Sequence, residues 1–278
     1  MRVEAVELFH VRMPMKEVWR TAFSEESAIE SIFVRMVIDG QEGWGETAPY
    51  RSPQYSSEWC DGAFSLLHDW LAPAIIGREI ASGEALAALI APFKGNQFAK
   101  AGLDLAWWDA HARLEGQPLW QLIGGTDNRV EVGADIAVLS DIDALLTEIA
   151  KAQEVGFKRT KLKFRPGWDV GMVRSVREAF PDAVIHVDCN SGFTLDDLPL
   201  FRELDRFGLA MIEQPLGSDD LVDHARLQAD LETPICLDES ITSLDRARKA
   251  IEVEACRWIN LKVGRAGGLT NAIAIHNF

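Results

Sequence analysis

The sequence predicts an α/β protein: a parallel (β/α) barrel preceded by a smaller α+β part. Three observations predict it. From Val130 onward, short apolar runs alternate with amphipathic stretches six times with no hairpin signal between them, the pattern of parallel strands joined by helices. Three of those runs end in an acidic residue at equal intervals, Asp188, Glu213 and Asp238, and the interval is about the length of one strand, loop, helix and return loop. Before Val130 the pattern is different, with strands first and helices after them.

Residues 2–13 alternate polar and apolar side chains as a strand does, with no long apolar core of a secretory signal behind them. Residues 29–47 read as two strands joined at Asp39-Gly40, a dipeptide suited to a hairpin turn. Helices are predicted at about 56–72, 82–91 and 97–115. The last of them, Phe98-Ala-Lys-Ala-Gly-Leu-Asp-Leu-Ala-Trp-Trp-Asp-Ala-His-Ala-Arg113, carries small and apolar residues at helical spacing. Leu122-Ile-Gly-Gly-Thr126 closes this part, and a domain boundary is expected between residues 129 and 130. Barrel strands are expected at 130–138, 159–164, 183–189, 209–214, 234–238 and 258–263, with helices such as Ile142–Val155 and Trp168–Phe180 between them.

Each of the three carboxylates falls at the carboxyl end of its strand, where barrels of this kind do their chemistry. Three carboxylates converging on one point repel each other unless a cation lies between them. An all-oxygen donor set favours a hard divalent ion, Mg2+ first, with Mn2+ as a substitute. Arg159-Thr-Lys161-Leu-Lys163-Phe164 places Lys161 and Lys163 on one face of the second barrel strand, opposite Leu162 and Phe164. Two adjacent cations lower each other's pKa, which suits one of them to serve as a base near neutral pH. Taken alone, Lys-x-Lys reads as two lysines reaching solvent. Lys262, at the end of the sixth strand in Trp258-Ile-Asn-Leu-Lys262-Val-Gly264, is expected across the barrel from Lys163. Three carboxylates and two opposed lysines at the same strand ends make a site the better reading. Gly264-Arg-Ala-Gly-Gly268 lacks the Lys-Ser/Thr ending of a P-loop and reads as a tight strand-to-helix turn. His186 points inward one layer below Asp188 and reads as a core histidine.

Composition narrows the partners. Of 278 residues, 47% are hydrophobic and 26% charged, as in a folded soluble domain. A net charge of −15 argues against nucleic acid and anionic membranes. No stretch reaches the roughly 18 apolar residues of a membrane span. Cys60, Cys189, Cys236 and Cys256 show no paired metal spacing and read as reduced thiols of a cytoplasmic protein. Residues 130–278 fall short of the roughly 250 residues typical of a whole barrel. Two βα units are therefore expected to be missing, leaving a barrel truncated after six units with unpaired edges on its first and sixth strands.

Along nearly the whole chain the sequence resembles the enolase superfamily. Lys161-Leu-Lys163, Asp188-Cys-Asn190, Ile212-Glu213-Gln-Pro215, Leu237-Asp238-Glu-Ser240 and Lys262-Val-Gly264 match its muconate-lactonizing-enzyme subgroup. Lys161-Leu-Lys-Phe-Arg-Pro-Gly-Trp-Asp169, Asp219-Asp-Leu-Val-Asp-His-Ala-Arg-Leu-Gln228 and Thr233-Pro-Ile-Cys-Leu-Asp-Glu-Ser240 resemble the o-succinylbenzoate synthase/N-succinylamino acid racemase family more closely still. The resemblance implies an enolase-type barrel over residues 130–278 under an α+β capping domain over residues 1–129. It implies Mg2+ on Asp188, Glu213 and Asp238, with Asn190 and Glu239 orienting them from behind. Lys163 would take a proton alpha to a substrate carboxylate, Lys161 would tune it, and Lys262 would act from the opposite face.

The implied activity is o-succinylbenzoate synthesis, a dehydration in menaquinone biosynthesis. The alternative is racemisation of N-succinyl or other N-acylamino acids, or dipeptide epimerisation, on the same site; the third reading is an inactive truncated chain. Loops near Arg20–Phe23 and Tyr50–Tyr55, with Arg51 and Tyr55, would contact the substrate. Asp135 stands where a small hydroxyl residue is expected, and a carboxylate there would repel an anionic substrate. The expected partners are a small-molecule carboxylate and further copies of the chain in a homo-oligomer.

Overall fold

The computed structural model describes residues 1–20 and 25–278, without the side chains of Glu17, Trp19 and Arg20. β1 (Val3–Arg20), β2 (Glu25–Ile38) and β3 (Gln41–Thr47) form an antiparallel meander. The β2–β3 turn is Asp39-Gly40, both at positive φ, the geometry that matches the twist of a tight hairpin. β1 runs beyond the expected residue 13 because pairing with β2 resumes after a register shift between Pro14 and Trp19. That shift breaks the alternation from which the strand was read.

Helices cover this sheet: α1 (Cys60–Leu66), continued by a π turn (Leu67–Leu71) into α2 (Ala72–Ile75), then α3 (Gly83–Ile90), α4 (Gln97–Leu114) and the short α5 (Leu119–Leu122). α4 lies directly on β3. A Cβ on Gly45 would stand 2.2 Å from the carbonyl of Gly102, so this approach admits only glycine. The core beneath is Ile32, Val34, Met36 and Ile38 against Leu67, Leu71, Leu86, Leu103 and Trp107.

The second part is a parallel sheet in the order β4-β5-β6-β7-β8-β9. Its strands are β4 (Ala134–Ile136), β5 (Arg159–Lys163), β6 (Val184–Asp188), β7 (Ile212–Glu213), β8 (Ile235–Leu237) and β9 (Trp258–Ile259). Between them run α6 (Ile142–Val155), α7 (Val170–Ala179), α8 (Leu198–Leu204), α9 (Leu221–Asp230) and α10 (Leu244–Glu252). α6 has the span expected from its pattern: the Asp141 side chain accepts the Ala144 N–H at its start, and Gly156 at φ 102° stops it. α11 (Val263–Ala266) and α12 (Leu269–Asn277) follow β9.

One face of the sheet is apolar. Leu162, Ile185, Val187, Ile212, Ile235 and Leu237 are fully buried against the helices, each worth about 1.5–3 kcal/mol of burial. The other face is left for polar side chains. Among the described residues β4 pairs only with β5 and β9 only with β8, so the sheet is open between them and forms no closed barrel. β9 is shorter than the expected 258–263. Its neighbour β8 ends at Leu237, which pairs with Ile259, and the ladder stops there. Lys262 therefore lies past the strand, in extended conformation just before α11.

The two parts are fastened through α4. The Gln97 side chain donates to Thr242 O at 2.7 Å, and Trp108 Nε1 donates to Thr270 Oγ1 at 2.9 Å. The Asp104 carboxylate accepts from both the N–H and the hydroxyl of Thr270.

Candidate metal centre and active site

Strand register builds the site. Lys163 pairs with Asp188, and Asp188 with Glu213, so these three stand in one row across β5, β6 and β7. Asp238 follows the last residue of β8 and carries the row onward. Asp135, Lys161 and His186 form the row beneath it. Asp188, Glu213 and Asp238 are all at or near zero exposure, where an unpaired carboxylate is very costly.

The charges are met from both ends. Lys161 Nζ lies 2.9 Å from Asp188 Oδ2 and 2.8 Å from Glu213 Oε1, and Lys163 Nζ lies 2.8 Å from the same Asp188 oxygen. At the far end Lys262 Nζ donates to Asp238 Oδ2 and to the hydroxyl of Tyr55, each at 2.6 Å. Asn260 donates to Glu213 Oε1 at 2.7 Å, and His186 Nε2 stands 3.6 Å from Glu213 Oε2. Arg265, only 4% exposed, stacks on the Tyr55 ring at 4.6 Å and brings its Nε to 3.3 Å from Asp238 Oδ1.

The titration of these groups follows. Burial alone would raise Asp188, but Lys163 and Lys161 outweigh it and hold the carboxyl below its ordinary value. Burial would also raise Glu213; the contacts from His186, Lys161 and Asn260 hold it well below. For Asp238 burial prevails over Lys262 and Arg265, and its pKa is raised. Glu239 is pushed up to about 7 by burial and by the neighbouring Asp238 and Asp188. Lys161 departs from the expectation that adjacent lysines depress one another. Burial lowers it, but two carboxylates face it, and its pKa is raised. Lys262 is raised for the same reason, by Asp238 and Tyr55 against burial.

A hard cation fits this donor set. Three buried carboxylates from successive strands offer oxygens only, and Asp238 Oδ1 and Glu239 Oε2 make no hydrogen bond among the described residues. Two residues at positive φ hold the carboxylates in place. Asn190, at φ 44°, donates its N–H to Asp188 Oδ1 and its side-chain amide to Asp188 Oδ2, both at 3.0 Å, and reaches Glu239 Oε1 at 3.4 Å. Gln214, at φ 38°, accepts from the N–H groups of Asp238 and Ser240 and so ties β7 to the loop carrying the third carboxylate.

The structure thus brings together Lys161, Lys163, Asp188, Glu213, Asp238, Lys262, Asn190, Glu239 and Tyr55. Tyr55 gets there because Glu58, three residues on, accepts the N–H groups of Phe98 and Ala99 at the start of α4. Arg51 is not brought to the site; its Nε lies 3.6 Å from Glu30, and the side chain is largely exposed. Asp135 is the middle residue of β4. It is exposed in the lower row, in register with Lys161, and lines a cavity of about 430 Å3 with Lys161, His186 and Glu213. Phe23 and the side chain of Arg20 lie outside the described residues.

Asn260, Arg265 and Gln214 were missed from sequence. Asn260 had a signal, since it precedes Lys262 by two along an extended segment and so shares its face. Arg265 was hidden in a segment read as a turn. Only Gly267 and Gly268, at φ 88° and 120°, behave as that reading requires; Val263–Ala266 is a helical turn.

Comparison with known proteins identifies the family. Residues 4–124 match the family described as "Mandelate racemase / muconate lactonizing enzyme, N-terminal domain", and residues 144–278 match "Enolase C-terminal domain-like". The two matches take in both parts of the chain and define an enolase-superfamily protein. An o-succinylbenzoate synthase of Geobacillus kaustophilus is 45% identical over 99% of this chain and 74% of its own length. An N-succinylamino acid racemase of Thermus thermophilus is 42% identical over 99% of this chain and 74% of its own length. A solved enolase-superfamily structure from Listeria innocua superposes with a TM-score of 0.95 at 34% identity, covering 100% of this chain and 75% of that one. The chain belongs to the o-succinylbenzoate synthase/N-succinylamino acid racemase family, whose members are lyases and racemases.

Proposed function

We propose that the chain removes the proton alpha to a substrate carboxylate with the help of a divalent cation, Mg2+ first, and that the reaction is the dehydration forming o-succinylbenzoate. One observation carries this reading: a row of three buried carboxylates bounded by a lysine at each end. Asp188, Glu213 and Asp238 would hold the ion, with Asn190 and Gln214 fixing the first and third. Bound there, a hard dication would neutralise the charge that develops on the substrate carboxylate as the proton leaves.

The chain's own groups do the proton work. Lys163 as a free amine takes the alpha proton and becomes an ammonium. In the dehydration it returns that proton to the departing hydroxyl, and water leaves, so protons balance. Lys161, held charged by Asp188 and Glu213, places a fixed positive charge beside it. Lys262 remains an ammonium and faces the anionic intermediate from the other end of the row. Racemisation of N-succinyl amino acids is the second reading, favoured by the separate anchoring of Lys262 on Asp238 and Tyr55; there one lysine takes the proton and the other returns one to the opposite face.

A cytoplasmic setting fits the four free cysteines, and no helix of the described residues is long and apolar enough to cross a membrane. Assembly as a homo-oligomer belongs to the same reading and is checked by sedimentation. The deciding experiment gives the purified chain the dehydration substrate and a panel of N-succinyl amino acids, with Mg2+ and with chelator. Chelator-sensitive formation of o-succinylbenzoate supports the first reading, and racemisation alone supports the second. Turnover of neither would refute the proposal and leave the inactive chain as the better account.

A further inference from the structure

A second cluster of metal-ligating side chains lies in the N-terminal part, assembled from three elements. His10 on β1, Glu30 on β2 and Cys60 at the start of α1 bring one ligand atom each within 4.8 Å of one another. β1–β2 register explains the first two. Arg12 pairs with Glu30 across the ladder, so His10 stands diagonally opposite Glu30. His10 Nε2 lies 3.3 Å from Glu30 Oε2, the spacing of two donors on one small cation. Cys60 reaches the same point because its thiol donates to the backbone carbonyl of Glu30 at 3.3 Å.

We propose that His10, Glu30 and Cys60 form a binding site for a borderline-soft divalent cation of the Zn2+ class, separate from the carboxylate row. The donor set of one sulfur, one imidazole nitrogen and one carboxylate oxygen suits Zn2+ and not Mg2+. Three protein ligands leave a fourth position for water. His10 is already posed as a ligand would be. Its other nitrogen, Nδ1, lies 3.6 Å from Asp61 Oδ1, longer than a hydrogen bond but close enough for a small ring rotation to bring the carboxylate behind a metal-bound imidazole. The Glu30 carboxylate is divided between tasks. Arg12 and Arg51 approach Oε1, at 3.7 and 3.6 Å, while Oε2 faces His10. Both arginines are more than half exposed and balance Glu30 without blocking Oε2. Binding exchanges the Cys60 thiol proton, released to solvent, for the cation. The ion would clip α1 to the β1–β2 hairpin and so stabilise the fold by mass action.

The test uses Co2+ as a probe on the full chain, with excess Mg2+ present to occupy the carboxylate row. A thiolate-to-cobalt charge-transfer band in the near ultraviolet is expected, displaced stoichiometrically by Zn2+, because the carboxylate row contains no sulfur ligand. Cys60→Ser should abolish the band, and Cys256→Ser should leave it. His10→Asn, at a partly exposed position, should weaken Co2+ binding by at least about tenfold, and Asp61→Asn by about tenfold. Zn2+ should raise the melting temperature of the wild type but not of Cys60→Ser. Absence of the band in the wild type, or its survival in Cys60→Ser or at full strength in His10→Asn, would overturn the proposal.

Discussion

Replacing Asp104 by asparagine is expected to change the way stability depends on pH. Asp104 is 2% exposed on α4 and accepts from the N–H and hydroxyl of Thr270 at the join between the two parts. Burial pushes its carboxyl from an ordinary 3.8 up to about 6, despite the lowering effect of the Thr270 hydrogen bonds. The folded chain therefore holds this proton more tightly than the unfolded chain. The resulting stability is complete below the unfolded pKa and is lost as pH rises through about 6. The whole shift corresponds to about 3 kcal/mol, of which about 1.4 kcal/mol falls between pH 5 and pH 8. Asparagine has nearly the same shape and carries no proton to lose. Urea denaturation of both proteins across that range gives the stability difference at each pH. The variant should gain on the wild type by about 1.4 kcal/mol from pH 5 to pH 8. A difference that stays constant across the range would refute the burial argument.

Three further outcomes are expected. Asp188→Asn should weaken Mg2+ binding measured by calorimetry, and unchanged affinity would remove Asp188 from the ligand set. Lys163→Ala should lower both the dehydration and the racemisation by at least about 100-fold, whereas Lys262→Arg keeps the charge on Asp238 and should hurt racemisation of one enantiomer most; equal, mild effects of both would contradict two-sided chemistry. Gly45→Ala should destabilise the chain by about 1–3 kcal/mol, read as a lower melting temperature, because the added Cβ meets the Gly102 carbonyl at 2.2 Å; an unchanged melt would show that β3 and α4 can separate at little cost.

The sheet was legible because its signals are local. Lys161 and Lys163 announced their shared face by period two, and the even spacing of Asp188, Glu213 and Asp238 announced parallel strands. α6 was read to its ends because Asp141 and Gly156 are strong boundary residues. What depends on pairing was not legible. β1 could not be followed past Pro14, where its register slips, and β9 stops where β8 stops, which left Lys262 outside the strand. Contacts between distant segments were the least readable. Tyr55 meets Lys262 across 207 residues of sequence. Arg51 turns instead to Glu30. The sequence displays Lys161 beside another cation but not the two carboxylates that the fold brings against it from neighbouring strands. His10, Glu30 and Cys60 have no ligand spacing, since three different elements bring them together.

The proposed chemistry begins with Lys163, beside the carboxylate row, taking a proton alpha to a carboxylate. Exchange of that hydrogen for deuterium in D2O with Mg2+, followed by proton NMR on an N-succinyl amino acid, tests it without requiring full turnover. The wild type should exchange this hydrogen, and the exchange should disappear with chelator and in Lys163→Ala. Exchange that persists in Lys163→Ala at the wild-type rate would contradict this chemistry.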